Sequence, residues 1–346
     1  MTALSGGDIW AVGGTTDSNG TNHALSVHWT GTGWVAVDTH NGPGASLSGV
    51  AAFAGDDVWA VGGYAIGPRA PQTLVDHWNG SVWSNIPAPD LSRDDALASV
   101  SGTSTMDIWA VGFAGVDLGN GVEVKVPLIE HWNGRAWSVV HAPTGGLDPA
   151  NHSAVQAVLQ NNAAYNSATL AAVHALSPTD VWAVGSVVPG QNSRYDTPDQ
   201  TFTEHWDGSH WSIVSAPDVA PVPELGHAPS DDLLAVDGVS SHDVWAVGSA
   251  APVGTLTIHW DGTRWSLVPS LESGFNGNLS GLTTIHGDDA WAVGDSIARW
   301  DGHKWTQTAT LNGSALQQMS AVAAVSSNDV WIAELTSFVH YTCTAA

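Results

Sequence analysis

Acidic, basic and aromatic side chains capable of acid–base chemistry or ligand binding concentrate in a few polar stretches of this sequence. Paired carboxylates such as Asp94-Asp95 and Asp231-Asp232 suit glycoside hydrolysis, and they also suit Ca²⁺, which takes about six to eight oxygen ligands. Arg194-Tyr195 combines a guanidinium fork for carboxylates or sugar hydroxyls with an aromatic stacking face. The sequence contains no P-loop, G-x-S-x-G, H-E-x-x-H or dinucleotide fingerprint, so no motif identifies a reaction.

The residues that we expect to contact a ligand share a position outside the repeat described below. They are Arg69, Arg93, Asp95, Glu123, His152, Tyr165, Arg194, Tyr195 and His227. Candidates for a catalytic role are His152, Tyr195 and Asp196. Half of the eight Lys and Arg residues also fall in these stretches, namely Arg69, Arg93, Lys125 and Arg194. This placement favours one binding surface; the alternative is that long polar loops collect charges without a function.

Composition excludes several classes of protein. The formal net charge of −25 disfavours binding to nucleic acid and to anionic membranes. One Cys permits neither an internal disulfide framework nor a Cys-rich zinc site. No apolar run approaches the roughly 20 residues of a membrane helix. The acidic balance predicts an extracellular, secreted bacterial protein, with the signal segment absent from this chain.

The 19 Trp residues follow a repeat. Seven segments read Asp-x-Trp-Ala-Val-Gly or a close variant, beginning at Asp8, Asp57, Asp107, Asp180, Asp243, Asp289 and Asp329. A second element follows each segment, with His-Trp in five copies, Arg299-Trp300 in the sixth and His340-Tyr341 in the seventh. In six copies a third Trp comes five residues later, after Asn-Gly or Asp-Gly in most of them. Seven copies in 346 residues give a period of about 49, which is typical of propeller blades.

Local chemistry predicts four strands in each copy. Trp-Ala-Val-Gly is typical of a strand that is buried on both faces, and Asn-Gly or Asp-Gly between two strand-like runs predicts a type I′ hairpin turn. Another strand-like run, such as residues 47–53, precedes each Asp. The sequence therefore predicts an all-β fold, a seven-bladed β-propeller of four-stranded antiparallel blades.

The pattern Trp-Ala-Val-Gly … His-Trp-Asp/Asn-Gly-x-x-Trp resembles bacterial propeller repeats of the BNR and photosystem-assembly-factor type. The resemblance covers nearly the whole chain and implies the propeller architecture. It implies little about activity, because propellers host many functions. The sialidase Asp-box order Ser-x-Asp-x-Gly-x-Thr-Trp is absent, which argues against a sialidase.

One propeller domain is expected over residues 1–346. The expected blades are 1–39, 40–88, 89–143, 170–217, 230–270, 277–311 and 316–346, with an insert at 144–169. The tail after Tyr341 stops where the third Trp of the last blade is expected, so the last blade is predicted to be incomplete at its outer edge. The alternative is that the chain is part of a longer polypeptide.

Departures from the repeat are predicted to lie on one face. In a propeller the connections between the second and third strands, and from the fourth strand to the next blade, share a face. The first of these connections has 14, 14, 18, 19, 10, 4 and 5 residues between the Gly and His positions of blades 1 to 7. The spacing from the third Trp to the next Asp is 23, 24, 43, 32, 24 and 24 residues. The longest connections belong to blades 3 and 4 and to the junctions beside them, which predicts a functional surface there.

Repeated His, Asp and Trp residues are interpreted as structural. Each His-Trp histidine occupies its own blade, so the set cannot bind one metal, and bonding to a nearby backbone group or Asp is favoured. The repeat Asp residues are expected to accept backbone N–H bonds at a tight turn. The repeat Trp residues are expected in the core rather than at a sugar site.

Two functions fit these observations. The first is an extracellular binding propeller that recognises a glycan, a peptide or another polar ligand on the enlarged loop face over blades 2–5. The alternative is a carbohydrate-active or related hydrolase or lyase with a single active site on the same face. We expect no required cofactor, with Ca²⁺ possible, and a monomer that binds neither nucleic acid nor membrane.

Overall fold

The six Trp-Ala-Val-Gly runs, and Trp-Ile-Ala-Glu in the last copy, form the second strand of seven small sheets. The computed structural model describes residues 1–65, 72–92, 94–117, 123–143, 165–189, 198–220, 229–269, 277–307 and 318–342. Within those ranges no helix is long and apolar enough to cross a membrane. Each sheet is antiparallel and follows chain order, so its strands are named a to d from first to last.

The strand bounds follow the repeat. Strands a are β1 (Thr2–Ser5), β5 (Ala45–Ala54), β9 (Asp95–Ser104), β13 (Tyr165–Ser177), β17 (Ser230–Ser240), β21 (Leu279–His286) and β25 (Met319–Ser326). Strands b are β2 (Asp8–Thr16), β6 (Asp57–Tyr64), β10 (Asp107–Asp117), β14 (Asp180–Pro189), β18 (Asp243–Ala251), β22 (Asp289–Gly294) and β26 (Asp329–Glu334). Strands c are β3 (Asn22–Trp29), β7 (Gln72–Trp78), β11 (Glu123–Trp132), β15 (Gln200–Trp206), β19 (Gly254–Trp260), β23 (Ile297–Trp300) and β27 (Phe338–Thr342). Strands d are β4 (Trp34–Ala36), β8 (Trp83–Asn85), β12 (Trp137–Val139), β16 (Trp211–Ile213), β20 (Trp265–Leu267) and β24 (Trp305–Gln307).

The seven sheets form a closed ring of blades. Neighbouring strands a contact one another around the ring, and β25 contacts β1 to close it. Blades 1 to 6 have four strands and blade 7 has three, ending at β27. The predicted seven-bladed propeller with an incomplete last blade is confirmed.

Aromatic packing between blades forms the core. Trp182 of blade 4 packs on Trp260 and Trp265 of blade 5, with ring centroids 4.8 and 5.1 Å apart. The same contact joins the ends of the ring, where Trp331 lies 4.9 Å from Trp29. The first Trp of every blade is at most 3% exposed. The expected core position is confirmed for these residues, and burial of such large rings stabilises the blade interfaces.

The second Trp of blades 1 to 6 is only half-buried. Its indole Nε1 donates to a carbonyl of the a–b turn, as Trp29 does to Gly6 at 3.1 Å and Trp206 does to Pro178 at 3.1 Å. These rings therefore connect the tight-turn face to the blade interface.

The repeat His and Asp residues pair within each blade. His28 Nε2 lies 2.7 Å from Asp8 Oδ1, and His205 Nε2 lies 2.8 Å from Asp180 Oδ1. In blade 6, Arg299 replaces the His and donates to Asp289 from Nε at 2.8 Å. The histidine prediction is confirmed. The prediction that these Asp residues accept backbone N–H bonds is wrong, because an imidazole or guanidinium lies against the carboxylate instead.

The c–d connections are four-residue loops, not the predicted type I′ turns. Gly80 has φ +89°, whereas His40 is the one described non-Gly residue with positive φ, so Asn79 keeps negative φ. Asn79 Oδ1 instead accepts the N–H groups of Ser81 and Val82, both at 3.0 Å. The loop therefore requires Asn or Asp because its side-chain oxygen accepts two N–H groups, and it requires Gly because the next residue has a positive φ.

Candidate functional site

Among the described residues, blade 3 has the longest ladder between strands b and c, and this hairpin lies on the loop face. Strands β10 and β11 pair over ten residues, from Ile108↔Trp132 to Asp117↔Glu123. The corresponding ladder in blade 6 has four pairs, ending at Val293↔Ile297. The described strands therefore confirm that blade 3 extends beyond the regular repeat on this face.

A cation–aromatic pair lies on this hairpin. Lys125 Nζ is 3.7 Å from the centroid of the Phe113 ring, a distance at which an ammonium is attracted to the ring face. The Lys125 N–H donates to Ser167 Oγ at 3.2 Å, and Ser167 Oγ lies 3.3 Å from the Lys125 carbonyl oxygen. Because Ser167 belongs to β13, the first strand of blade 4 supports the hairpin of blade 3.

Most of the predicted contact residues lie outside the described ranges. These are Arg69, Arg93, His152, Arg194, Tyr195 and His227, together with the catalytic candidate Asp196. Glu123 begins β11 at the end of the blade 3 hairpin, and Tyr165 begins β13, the strand of blade 4 that contacts this hairpin. Their ligand contacts stay a prediction.

Asp95 is the predicted site residue whose side chain is described, and it is fully buried. Its carboxylate accepts the N–H groups of Leu91 at 2.5 Å and Ser92 at 2.8 Å, and also the Ser92 hydroxyl. These bonds hold the junction between blades 2 and 3, directly below the loop face.

A second acidic junction joins blades 4 and 5. Asp231 accepts the Val219 N–H at 2.6 Å, and Ser230 Oγ donates to Asp199 at 3.1 Å. Burial raises the pKa of Asp231 to about 6, with smaller contributions from the charges of Asp218 and Asp232. Burial also raises the pKa of Asp199, again with Asp232 contributing. Four carboxyl groups, Asp199, Asp218, Asp231 and Asp232, therefore lie close enough to influence one another in this part of the face.

Sequence reasoning missed two carboxylates that stabilise the loop face. Asp90 accepts the N–H and hydroxyl of Thr73, both at 2.9 Å. Asp218 accepts the same groups of Thr201, at 2.8 and 3.0 Å. Both follow a proline, in Pro89-Asp90 and Pro217-Asp218, and that repeated dipeptide was the available signal.

Three further carboxyl groups lie between blades. Asp76, Glu130 and Glu204 each precede the His of strand c, and all three are 0% exposed. Both carboxyl oxygens of Glu130 and of Glu204 lack a hydrogen-bond partner among the described residues. Burial raises the pKa of each Glu to about 8; for Glu130 the charges of Asp90 and Asp95 add to the effect. Both carboxyls are thus neutral at pH 7.

A cavity of about 370 Å³ occupies the central channel near the tight-turn end. One residue of each strand a lines it at the position that pairs with the first Trp of the blade. These seven residues are Thr2, Ala51, Ser101, His174, Asp237, Thr283 and Ala323. Side chains at this channel position bond to the next blade: Ser101 Oγ accepts the Ala175 N–H at 3.1 Å, and Asp237 Oδ2 accepts the Thr284 N–H at 2.6 Å. His174 Nδ1 lies 2.8 Å from Asp237 Oδ1.

The described residues hold no group of three or more His, Cys, Asp or Glu arranged to bind a metal ion. In the Asp17–Asn22 loop, Asp17 accepts the N–H groups of Asn19 at 2.8 Å and Thr21 at 3.0 Å. Asp17 Oδ2 lies 3.2 Å from His23 Nε2, so both carboxylate oxygens have partners and the loop offers Ca²⁺ a poor donor set. Binding of Ca²⁺ elsewhere on the chain stays a prediction.

Comparison with known proteins supports the fold alone. No family model and no curated sequence matches the chain. The WD40 β-propeller domain of Doa1 superposes with a TM-score of 0.56 at 10% identity, covering 99% of this chain and 91% of that one. The extracellular domain of a putative hybrid two-component system from B. thetaiotaomicron gives 0.55 at 9% identity, covering 100% of this chain and 40% of that one. A structure of YCF48 bound to D1 peptide gives 0.37 at 12% identity, covering 87% and 94%.

Proposed function

We propose that this protein is a binding propeller whose ligand surface is the loop face over blades 2–5, and that the ligand is a neutral glycan. The projecting hairpin of blade 3 carries this proposal, since it places Phe113 and Lys125 beyond the regular repeat on a rigid support from blade 4. Sites built on braced strands hold their contact groups more accurately than loops do.

The charge of the face favours a neutral, hydroxyl-rich ligand. Asp90, Asp199 and Asp232 remain accessible to solvent at the two junctions beside the hairpin, and the whole chain has a net charge of −25. Carboxylates accept hydrogen bonds from sugar hydroxyls, whereas anionic polymers are repelled. An aromatic ring on the same face adds an apolar surface for a sugar ring.

Burial favours binding over hydrolysis. Among the described residues, the carboxyl groups with the most raised pKa are Glu130, Glu204 and Asp231, and they are 0%, 0% and 1% exposed. A catalytic acid must come within hydrogen-bond distance of its substrate. These groups serve the blade interfaces instead. The proposal also includes a secreted monomer, supported by the acidic composition.

The test is binding of the full chain to a panel of neutral glycans, anionic glycans and peptides, measured by isothermal titration calorimetry. Phe113→Ala and Lys125→Ala are expected to weaken binding of a neutral glycan at least tenfold. Lys304→Ala is the matched control, because Lys304 lies in a c–d loop on the opposite face. Binding restricted to peptides or anionic glycans, or equal loss in all three variants, would contradict the proposal.

A further inference from the structure

Asn-Gly pairs begin the c–d loops of blades 2 and 3, on the tight-turn face. Asn79 Oδ1 accepts two backbone N–H groups of its loop, both at 3.0 Å. Asn133 Oδ1 accepts the equivalent groups of Arg135 and Ala136, at 3.0 and 3.1 Å. Both asparagines and the glycines that follow them are exposed. The two loops therefore present the same amide to solvent in the same hydrogen-bonded setting.

An asparagine followed by glycine has a reaction of its own, the loss of its side-chain amide to water. The Gly80 nitrogen gives up its proton and attacks Asn79 Cγ, which closes a five-membered ring through the Asn79 carbonyl carbon, Cα and Cβ. The bond between Cγ and Nδ2 breaks, and Nδ2 leaves with that proton as ammonia. Water then opens the succinimide at Cγ to give aspartate, or at the main-chain carbonyl carbon to give isoaspartate.

The c–d loop is built to stabilise the charge that this reaction develops. Negative charge grows on Asn79 Oδ1 as the nitrogen attacks Cγ, and Oδ1 already accepts two N–H groups. Preorganised donors of this kind act as an oxyanion hole, and removing one such donor from an enzyme costs about 10²–10³ in rate. The Gly80 N–H donates no hydrogen bond within the described residues, so its nitrogen is available for the attack.

Blade 6 shows that the same loop holds a full negative charge at this atom. The equivalent residue there is Asp301, whose Oδ1 accepts the N–H groups of His303 at 3.0 Å and Lys304 at 2.9 Å. These backbone bonds lower the pKa of Asp301 below its usual value. An aspartate formed from Asn79 or Asn133 therefore keeps the hydrogen bonds of its loop.

Two other Asn-Gly pairs in the described ranges lack this arrangement. In Asn19-Gly20, the glycine N–H donates to the Asp17 carbonyl at 3.0 Å, and the asparagine Oδ1 accepts no hydrogen bond from the described residues. In Asn41-Gly42, the asparagine is half-buried, and its Nδ2, the atom that must leave, donates to Asp76 at 2.5 Å. The dipeptide is thus the same at four sites, whereas the local hydrogen bonds differ.

We propose that the c–d loops of blades 2 and 3 are self-modifying sites, in which Asn79 and Asn133 deamidate faster than the dipeptide alone dictates. The two N–H donors that fix each loop also promote its reaction. Each reaction adds one negative charge, so the formal net charge changes from −25 to −27 when both are complete. The tight-turn face, opposite the proposed ligand surface, therefore becomes more acidic as the molecule ages.

The test compares the four Asn-Gly pairs within one sample. The folded full chain is incubated at pH 8, and peptide mapping by mass spectrometry follows the one-dalton increase at each pair. Asn79 and Asn133 are expected to react at least tenfold faster than Asn19 and Asn41. The same incubation in guanidinium chloride is the control, because unfolding removes the local hydrogen bonds and the four rates are expected to become similar.

A variant transfers the reaction to another blade. Asp301→Asn places the amide in the loop of blade 6, where both N–H donors and the following glycine are unchanged. The new amide is expected to react at a rate similar to that of Asn133, and its aspartate product restores the wild-type sequence. Circular dichroism melting checks that the variant folds, and Asp207→Asn repeats the test in blade 4.

Three results would overturn the proposal. The first is a rate at Asn79 and Asn133 that does not exceed the rate at Asn19 in the folded chain, which would assign the reaction to loop mobility. The second is the same rate at Asn79 in the folded and unfolded chain, which would assign it to the dipeptide alone. The third is the absence of reaction in folded Asp301→Asn and Asp207→Asn.

Discussion

A carboxyl group is a costly side chain at the position before the His of strand c, because that position lies between two blades. Blades 1, 5, 6 and 7 have Val27, Ile258, Ala298 and Val339 there. Blade 4 instead has Glu204, which is fully buried and lacks partners for both oxygens among the described residues. A buried carboxyl of this kind avoids the cost of a charge by remaining protonated.

Glu204→Gln is expected to stabilise the protein increasingly as the pH rises from about 4.5 to about 8. The pKa of Glu204 is about 8 in the folded state, against an ordinary value of 4.5. Its stabilising contribution is therefore complete below pH 4.5, and it is lost as the pH rises through 8. The variant should exceed wild type by roughly 2–4 kcal/mol at pH 8. Urea unfolding across pH 4.5–8.5 measures the difference, with Glu334→Gln as the control. A difference that does not change with pH would contradict the burial argument.

At the scale of elements, the sequence predicted the strands whose residues both favour β structure and are apolar enough to be buried between blades. Trp-Ala-Val-Gly predicts a strand between blades, and Asn-Gly or Asp-Gly predicts the start of a short loop, so neither prediction needed distant contacts. The loop face was less predictable. Lys125 contacts Ser167 across 42 residues of sequence, and the pairing of His174 with Asp237 depends on the ring bringing blades 4 and 5 together. No spacing rule within one repeat contains such contacts.

His174→Gln is expected to lower the free energy of unfolding, and to do so most at low pH. Burial lowers the pKa of His174, but Asp237, the Gly238 backbone and the charge of Asp180 together raise it above its usual value. The contribution of the ion pair is therefore complete below about pH 6.5, and it is lost as the pH rises through the folded-state pKa. Chemical unfolding at pH 5.5 and pH 8.5 measures the difference from wild type, on the order of 1 kcal/mol at the lower pH. Equal losses at both values would show that His174 acts by packing alone.

At the scale of the whole molecule, the ring combines local cohesion with strong self-repulsion. Each blade packs on two neighbours through its Trp residues, and Trp331 with Trp29 closes the circle. The chain also contains 33 acidic residues and only 8 Lys and Arg residues, so like charges repel one another across the molecule. Repulsion among like charges destabilises a compact state. At 0.1 M, dissolved salt largely screens the repulsion between exposed charges that lie more than about 10 Å apart.

Sodium chloride is accordingly expected to raise the melting temperature at pH 7. Differential scanning calorimetry between 10 and 300 mM salt measures the effect. The same titration near the isoelectric point of about 4.5 provides the control, because the net charge is then close to zero. An equal rise at both pH values would assign the effect to general salting-out instead of charge screening.

The Trp interfaces also give the protein an optical property. Indole rings 4.7–5.3 Å apart join successive blades at six of the seven interfaces, and Tyr341 takes the place of the second indole at the other. Indole rings this close transfer excitation energy to one another. The energy absorbed by one blade therefore moves to its neighbours, and the Trp fluorescence becomes depolarised. The transfer needs neighbouring blades in register. Near-ultraviolet circular dichroism of the unlabelled chain therefore reports whether the circle is intact, and the position between blades 6 and 7 is where that coupling is interrupted.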